Sequence, residues 1–282
     1  MPDPRHHADV QAYDLARAAA DYPAWDGPPR RSIVICTQQR TGSTLLGEAI
    51  YFAGGLGCPL EYFNRGFKPR FARRWAADDV RSYVAAVHRH RTDTTGVFAV
   101  KLFWDRFMDL VHDLSPEAAS AAPAVSAART ADCAYRSAME RVAPVFPRPT
   151  FIFLRRKDEV RQAISLAVAA ETRRWRLFSR GSDAIPSTRP AIDFDQIVRL
   201  LANIQNCNAH WRNFFRANEL RPLEVLYEDI DRDYNGTVEA LLAQLGRANA
   251  QIEPPRLSKQ AGASSEALYR QFISEFGKRA SG

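Results

Sequence analysis

Apolar and polar positions along the chain fall into two periods. Short apolar runs at Ile33–Thr37, Gly96–Leu102, Thr150–Leu154 and Leu223–Asp229 read as buried strands. Between them apolar residues recur at helical spacing. Leu45, Leu46, Ala49 and Ile50 share a face after the first run, and Val160, Ala163, Ile164, Ala167 and Val168 do so after the third. Ile197, Leu200, Leu201, Ile204 and Trp211 form the buried stripe of a helix from Asp195 to Asn218. Phe67 to Arg91 reads as helical with alternating charge, and Thr237 to Leu245 as a further amphipathic helix. A short helix at Val10–Asp21 is closed by a Pro/Gly segment at 23–29. Residues 115–149, rich in Ala, Ser and Pro, read as an inserted surface helix, and 180–193 as loop. Strands alternating with helices predict an α/β fold with a central parallel sheet. We expect one domain over 31–282 behind an extension at 1–30. Ligands of such sheets sit beyond the carboxyl ends of the strands, where Arg40, Glu61, Lys101 and Arg156 would converge.

The first strand runs into the stretch with the most chemistry. Gln38 to Gly42 forms a turn, and Ser43-Thr44 opens a helix. Backbone N–H groups of such a turn converge with the positive end of the helix dipole, which makes an anion site. Arg40 adds a full charge, and Ser43 and Thr44 add hydroxyl donors. A nucleoside-triphosphate loop needs Gly-x-x-x-x-Gly-Lys-[Ser/Thr]. Here the first glycine is missing and Ser43 stands where that lysine would follow Gly42. The pattern therefore suits a nucleotide held by hydrogen bonds and cationic side chains rather than through a metal. A plain helix cap fits the same residues.

Size and charge narrow the options. The chain has 282 residues, 46% hydrophobic, enough for one large core. No apolar run reaches the ~20 residues of a membrane span, and Met1–Asp9 lacks a signal-like apolar region, so the expected location is cytoplasmic. Cys36, Cys58, Cys133 and Cys207 have no metal-ligand spacing and read as reduced structural residues. A net charge of +7 points to anionic partners. No nucleic-acid module is recognisable, and most of the basic clusters read as solvated faces. Arg155–Lys157 is the exception.

Arg156 and Ser165 flank the junction of the third strand with its helix, in reach of one phosphate. Two phosphate sites suggest a bis-phosphorylated nucleotide. Gln38–Leu46, Gly57–Phe63, Val100–Trp104 and the segment from Arg156 through Gln162–Ser165 to Thr172–Trp175 together resemble the bacterial Stf0-type sulfotransferases in order and spacing. The tail Leu257–Arg270 is similar to that family's terminal Gln-Ala segment. Residues 1–30 and 115–149 match none of its motifs.

The resemblance implies a three-layer, P-loop-like sulfotransferase fold and 3′-phosphoadenosine 5′-phosphosulfate (PAPS) as sulfonyl donor, with adenosine 3′,5′-bisphosphate as product. It makes Gln39, Arg40, Thr41, Gly42, Ser43 and Thr44 the 5′-phosphosulfate loop and Arg156 with Ser165 the 3′-phosphate site, and it adds Lys259 and Gln260 to the donor contacts. Glu61 becomes the general base, Arg40 its catalytic partner, and Tyr62, Phe63, Lys101 and Trp104 candidate acceptor contacts, with a core role equally open for Trp104. The implied acceptor is a carbohydrate or glycolipid hydroxyl. Cys58 departs from the family's mycobacterial pattern, which carries a second glutamate beside the acceptor sugar, and this counts against trehalose. Histidine is the competing base, but His88, His90, His112 and His210 all lie in helical context and read as structural or exposed. A kinase built on a related fold and a non-catalytic anion- or nucleic-acid-binding protein remain the alternatives. The oligomeric state stays open, a homodimer included.

Overall fold

The computed structural model describes residues 15–115, 127–172, 175, 193–257 and 263–280. Four parallel strands, β1 (Arg31–Thr37), β2 (Val97–Phe103), β3 (Pro149–Arg155) and β4 (Leu223–Leu226), form one sheet in the order β2-β1-β3-β4. The alternating faces of these strands make a three-layer α/β sandwich. Val34, Cys36, Phe98, Val100, Leu102, Phe151 and Phe153 point into one apolar layer. Helices α3 (Val80–Arg91), α4 (Trp104–Leu114), α5 (Ala127–Val142) and α7 (Phe194–Ala217) cover it with Tyr83, Phe107, Tyr135, Trp211 and Phe214. Ile33, Ile35, Ala99, Ile152, Leu154 and Val225 point the other way. There α1 (Ser43–Ala53) and α9 (Tyr234–Gln244) bury Leu46, Ile50, Val238 and Leu242 against them. With both faces covered, the strands read as continuous apolar runs rather than alternating ones. Helices α6 (Glu159–Thr172) and α10 (Ala263–Ala280) meet α7 in a smaller cluster around Ile164, Ile204, Leu268 and Phe272. No helix among the described residues is long and apolar enough to cross a membrane.

Several boundaries differ from the expected ones for identifiable reasons. The Phe67–Arg91 stretch is two helices, α2 (Lys68–Arg74) and α3, because Ala76 takes a left-handed φ of 50° and Asp79 starts a new helix. Asp79 and Ser82 form a reciprocal capping box, a signal legible in the sequence. The fourth strand ends at Leu226, and Tyr227–Arg232 is a short helix, α8, with Glu228 and Asp229 in its first turn, where carboxylates complement the dipole. Helix α5 is not a surface appendage: Tyr135, Ala138 and Val142 are buried against the α4/α7 layer. Of the expected Val10–Asp21 helix, residues 10–14 lie outside the described residues and Ala18–Ala20 forms a single 3-10 turn. The segment following it is tied to α3: Tyr22 N–H donates to His90 O and Trp25 N–H to Arg89 O, both at 2.9 Å.

The chain leaves β1 for β2 on one side and later reaches β3 on the other. Strand order therefore reverses at β1, and the crevice beyond its carboxyl end is where such sheets bind ligands.

Candidate active site

At the end of β1 the chain turns sharply into α1. Arg40 (φ 66°) and Gly42 (φ 76°) take left-handed conformations on either side of Thr41, and such alternation turns successive N–H groups toward one side. The first intrahelical bond of α1 is Leu46 N–H to Gly42 O at 3.0 Å, so the N–H groups of Ser43, Thr44 and Leu45 have no acceptor within the helix. Thr41, only 1% exposed, turns its hydroxyl inward: it meets Thr37 Oγ1 at 2.7 Å and donates to Gln38 O at 2.9 Å. This hydroxyl ties the turn together from within. Gln39 is held from below, its carbonyl accepting from Gln162 Nε2 at 2.7 Å.

The second expected anion group comes to the same place. Arg40 Nε donates to Ser165 Oγ at 3.0 Å, bridging β1's turn to the middle of α6, and its Nη1 donates to Trp175 O at 2.9 Å. Arg156, at the end of β3, lies with its guanidinium 4.6 Å over the Tyr227 ring. Burial pushes Arg40 below the ordinary arginine value, and the neighbouring Arg156 charge adds to the effect while Tyr227 opposes it. Two cations pressed together in this way are relieved by an anion. Arg156 Nε supplies a direct sign of where: it is buried, lacks a hydrogen-bond acceptor among the described residues, and stands 3.9 Å from Glu228 Oε1, too far to bond. The Glu228 carboxylate is instead engaged by the N–H groups of Lys157 and Asp158 at 2.9 to 3.1 Å. These residues fit a nucleotide phosphate.

On the other side of β1, Glu61 is placed by the sheet itself. Leu60 bridges in parallel to Val100 at the outer edge of β2, with Lys101 N–H donating to Leu60 O at 2.9 Å. Gly57 makes this approach possible: a Cβ there would lie 2.7 Å from Ala99 N and 2.9 Å from Val97 O. Glu61 and Lys101 thereby become neighbours, with Lys101 Nζ 2.9 Å from Glu61 Oε1. The other carboxylate oxygen accepts from Asn64 Nδ2 at 2.7 Å. Lys101 Nζ also donates to Thr44 Oγ1 at 3.2 Å, joining the Glu61 side to the anion turn.

Three of the expected acceptor contacts, Tyr62, Phe63 and Trp104, are buried. Tyr62 is fully buried, and its hydroxyl donates to Cys58 O at 2.5 Å. Phe63 packs edge-on against Tyr83 and Phe146. Trp104 is 8% exposed and stacks on His210 with ring centroids 5.0 Å apart and planes 2° from parallel, so neither ring face is open to a sugar. All three belong to the larger apolar layer, into which the residues after the edge bridge and after β2 turn. His88 is held neutral in the same layer, its pKa lowered to about 4 by burial. His210 accepts or donates a 2.7 Å bond with the Tyr135 hydroxyl, and His90 stacks on Trp75. Cys58 is buried with its Sγ 3.5 Å from Arg91 Nη1. Lys259, Gln260 and most of the expected loop at 180–193 lie outside the described residues.

The sequence alone does not single out Asn64, Gln162 or Tyr227. Tyr227, placed there only within the fourth strand, carries Arg156 and covers the turn: a Cβ on Gly42 would meet its ring carbon Cδ2 at 2.9 Å. Its place directly after β4, at the carboxyl edge of the sheet, emerges only from the structure.

The chain is 25% identical over 270 residues to a trehalose 2-sulfotransferase of Mycobacterium tuberculosis, covering 87% of this chain and 95% of that protein. A trehalose 2-sulfotransferase of Mycolicibacterium smegmatis is 26% identical over 270 residues, at 85% and 93% coverage. Among solved structures, the sulfotransferase domain of the Synechococcus PCC 7002 olefin synthase aligns with a TM-score of 0.36 and 14% identity, covering 89% of this chain and 98% of that domain. The family model described as Stf0 sulphotransferase matches residues 32–275, which take in the turn, Glu61, Lys101, Arg156 and Ser165, and the chain belongs to that family.

Proposed function

We propose that this protein transfers a sulfonyl group from PAPS to a hydroxyl of a carbohydrate or glycolipid, with Glu61 as general base. The observation that carries the reading is the meeting of Arg40, Ser165 and Arg156 on one side of the turn, with Glu61 held on the other side, next to Thr44 through Lys101. PAPS, when bound, supplies an activated sulfonate on a phosphate leaving group. Arg40 and the N–H groups at the start of α1 bind its 5′ end, and Arg156, steadied by the Tyr227 ring, binds the 3′-phosphate. Ser165 orients Arg40 through the 3.0 Å bond between them. Such in-line transfer needs alignment and charge stabilisation more than covalent chemistry by the protein. Glu61 takes the proton of the acceptor hydroxyl as the new S–O bond forms, a contribution of about 10²–10⁴ in rate.

The relatives' names make trehalose the first acceptor to test, and the buried Cys58 argues for a different one. Incubation with ³⁵S-labelled PAPS, trehalose in one arm and carbohydrate and glycolipid extracts in others, is expected to label one acceptor class and to proceed in EDTA. A thermal shift by adenosine 3′,5′-bisphosphate should accompany it. Magnesium-dependent transfer of label from γ-³²P-ATP, with none of ³⁵S from PAPS, favours the kinase-like alternative. No transfer to any acceptor and no thermal shift overturns the sulfotransferase reading.

A further inference from the structure

The turn after β1 has no lysine of its own, since Ser43 follows Gly42. A lysine nevertheless reaches it. Lys101 stands opposite Ile35 in the β1/β2 register, and its side chain, 3% exposed, ends beside the first turn of α1. Of its three protons, one is directed at Glu61 Oε1 (2.9 Å) and one at Thr44 Oγ1 (3.2 Å). The third has no hydrogen-bond acceptor among the described residues; the Phe103 ring is 6.0 Å away. An ammonium this deeply buried needs anions around it. Glu61 is one, and the position beside Thr44, at the positive end of a helix, is built for another.

We propose that Lys101 is the cation missing from the donor turn, supplied by the neighbouring strand and shared between Glu61 and the 5′ end of the donor. This rests on the sulfotransferase reading above. In the transfer, the bond from acceptor oxygen to sulfur forms, the bond from sulfur to the 5′-phosphate oxygen breaks, the proton passes to Glu61, and the leaving bisphosphate carries the new negative charge. Lys101 is placed where that charge develops. A lysine suits the task because its charge is compact and its stem flexible, so it turns between two anions without leaving the site. One ammonium serving two anions also sets the sign of their coupling: an anion at the turn loosens the hold on Glu61, and the Glu61 charge weakens the anion site. By linkage the two effects are equal.

Calorimetric titration with adenosine 3′,5′-bisphosphate and with adenosine 3′-monophosphate separates the 5′ contact from the rest. The wild-type protein is expected to bind the bisphosphate more tightly. Lys101→Met should weaken bisphosphate binding by about 10- to 100-fold, as loss of a charge-assisted bond requires, and leave the 3′-monophosphate within about 2-fold. The unchanged monophosphate affinity also shows that the variant is folded. Glu61→Gln should tighten the bisphosphate by about 5-fold and leave the monophosphate unaffected. Weakening of both nucleotides by the same factor in Lys101→Met makes Lys101 a support of the fold only and overturns the proposal, as does no weakening of either. Failure of the wild-type protein to bind the bisphosphate overturns the sulfotransferase reading together with it, a result distinct from the other two.

Discussion

Replacing Gly42 by alanine tests whether Tyr227 clamps the donor turn. Two penalties meet there. An L-residue in the left-handed conformation costs about 1–2 kcal/mol relative to glycine, and Gly42 has φ 76°. The added Cβ would also lie 2.9 Å from Tyr227 Cδ2 and 3.4 Å from Cε2, inside the ~3.5–4.0 Å at which carbons attract. Overpacking of this kind costs about 1–3 kcal/mol, so the expected loss is about 2–5 kcal/mol in all. Gly246 is the internal control: it has φ 85° and a Cβ there would meet nothing within 4 Å, so Gly246→Ala carries the backbone penalty alone. At about 3 °C per kcal/mol for a chain of this size, melting should fall by about 4 °C in Gly246→Ala and about 10 °C in Gly42→Ala. The functional readout separates them further. Arg156 rests 4.6 Å over the ring that the new methyl group displaces, so bisphosphate affinity should drop by about 10-fold in Gly42→Ala, one charged contact's worth, and stay unchanged in the control. Equal melting losses with equal affinities in the two variants would refute the clamp.

Three further expectations follow from the geometry. Glu61→Gln should lower turnover by about 10²–10⁴ while bisphosphate binding persists; near-normal turnover with a true acceptor removes Glu61 as the base. Burial lowers His88 to about 4 from an unfolded value of about 6.5, so the neutral ring contributes stability that is complete above pH 6.5 and is lost as the pH falls toward 4. Urea unfolding at pH 7.5 and 4.5 should therefore show the wild type losing about 2–3 kcal/mol more than His88→Leu, and equal losses would remove burial as the cause. Trp104→Ala should destabilise by about 3–5 kcal/mol through the cavity it opens, whereas Trp104→Phe should keep the KM for the acceptor within about 2-fold, because the ring is walled in by His210 and Trp211. A large acceptor-KM change in Trp104→Phe would restore it to the binding site.

The parallel sheet was legible because β1 to β3 are buried on both faces and their central runs are apolar, interrupted only by Lys101 in β2. Glycine after Arg40-Thr41 and the hydroxyls behind it marked the turn for an equally local reason. What stayed hidden depends on contacts between distant segments. Nothing near Trp104 in sequence says that His210 will cover its face, and nothing near Thr41 says that Thr37 will take its hydroxyl. Tyr62 and Glu61 are adjacent, but the bridge at Leu60 sends one side chain into the core and leaves the other at the crevice. A residue type suited to sugar binding is thus equally suited to a wall, and only the fold decides between them.

Sheet order explains why the two halves of the site meet at one turn. With β1 between β2 and β3, the loop after β1 is flanked by the carboxyl ends of both neighbours. From the β3 side come Arg156 and, from the helix that follows, Ser165; from the β2 side come Lys101 and, through the edge bridge, Glu61. Groups from four distant segments then need no long loops to converge, because strand register alone brings Lys101 level with Ile35, one residue short of Cys36 and two short of Thr37 at the strand's end. A lysine in the turn itself would serve the anion but would stand no closer to Glu61 than the helix allows. Placed on β2, the same charge lies 2.9 Å from Glu61 Oε1 and 3.2 Å from Thr44 Oγ1. That position couples the turn and Glu61 electrostatically through one ammonium, and the sign of the coupling is what the paired nucleotide titrations measure.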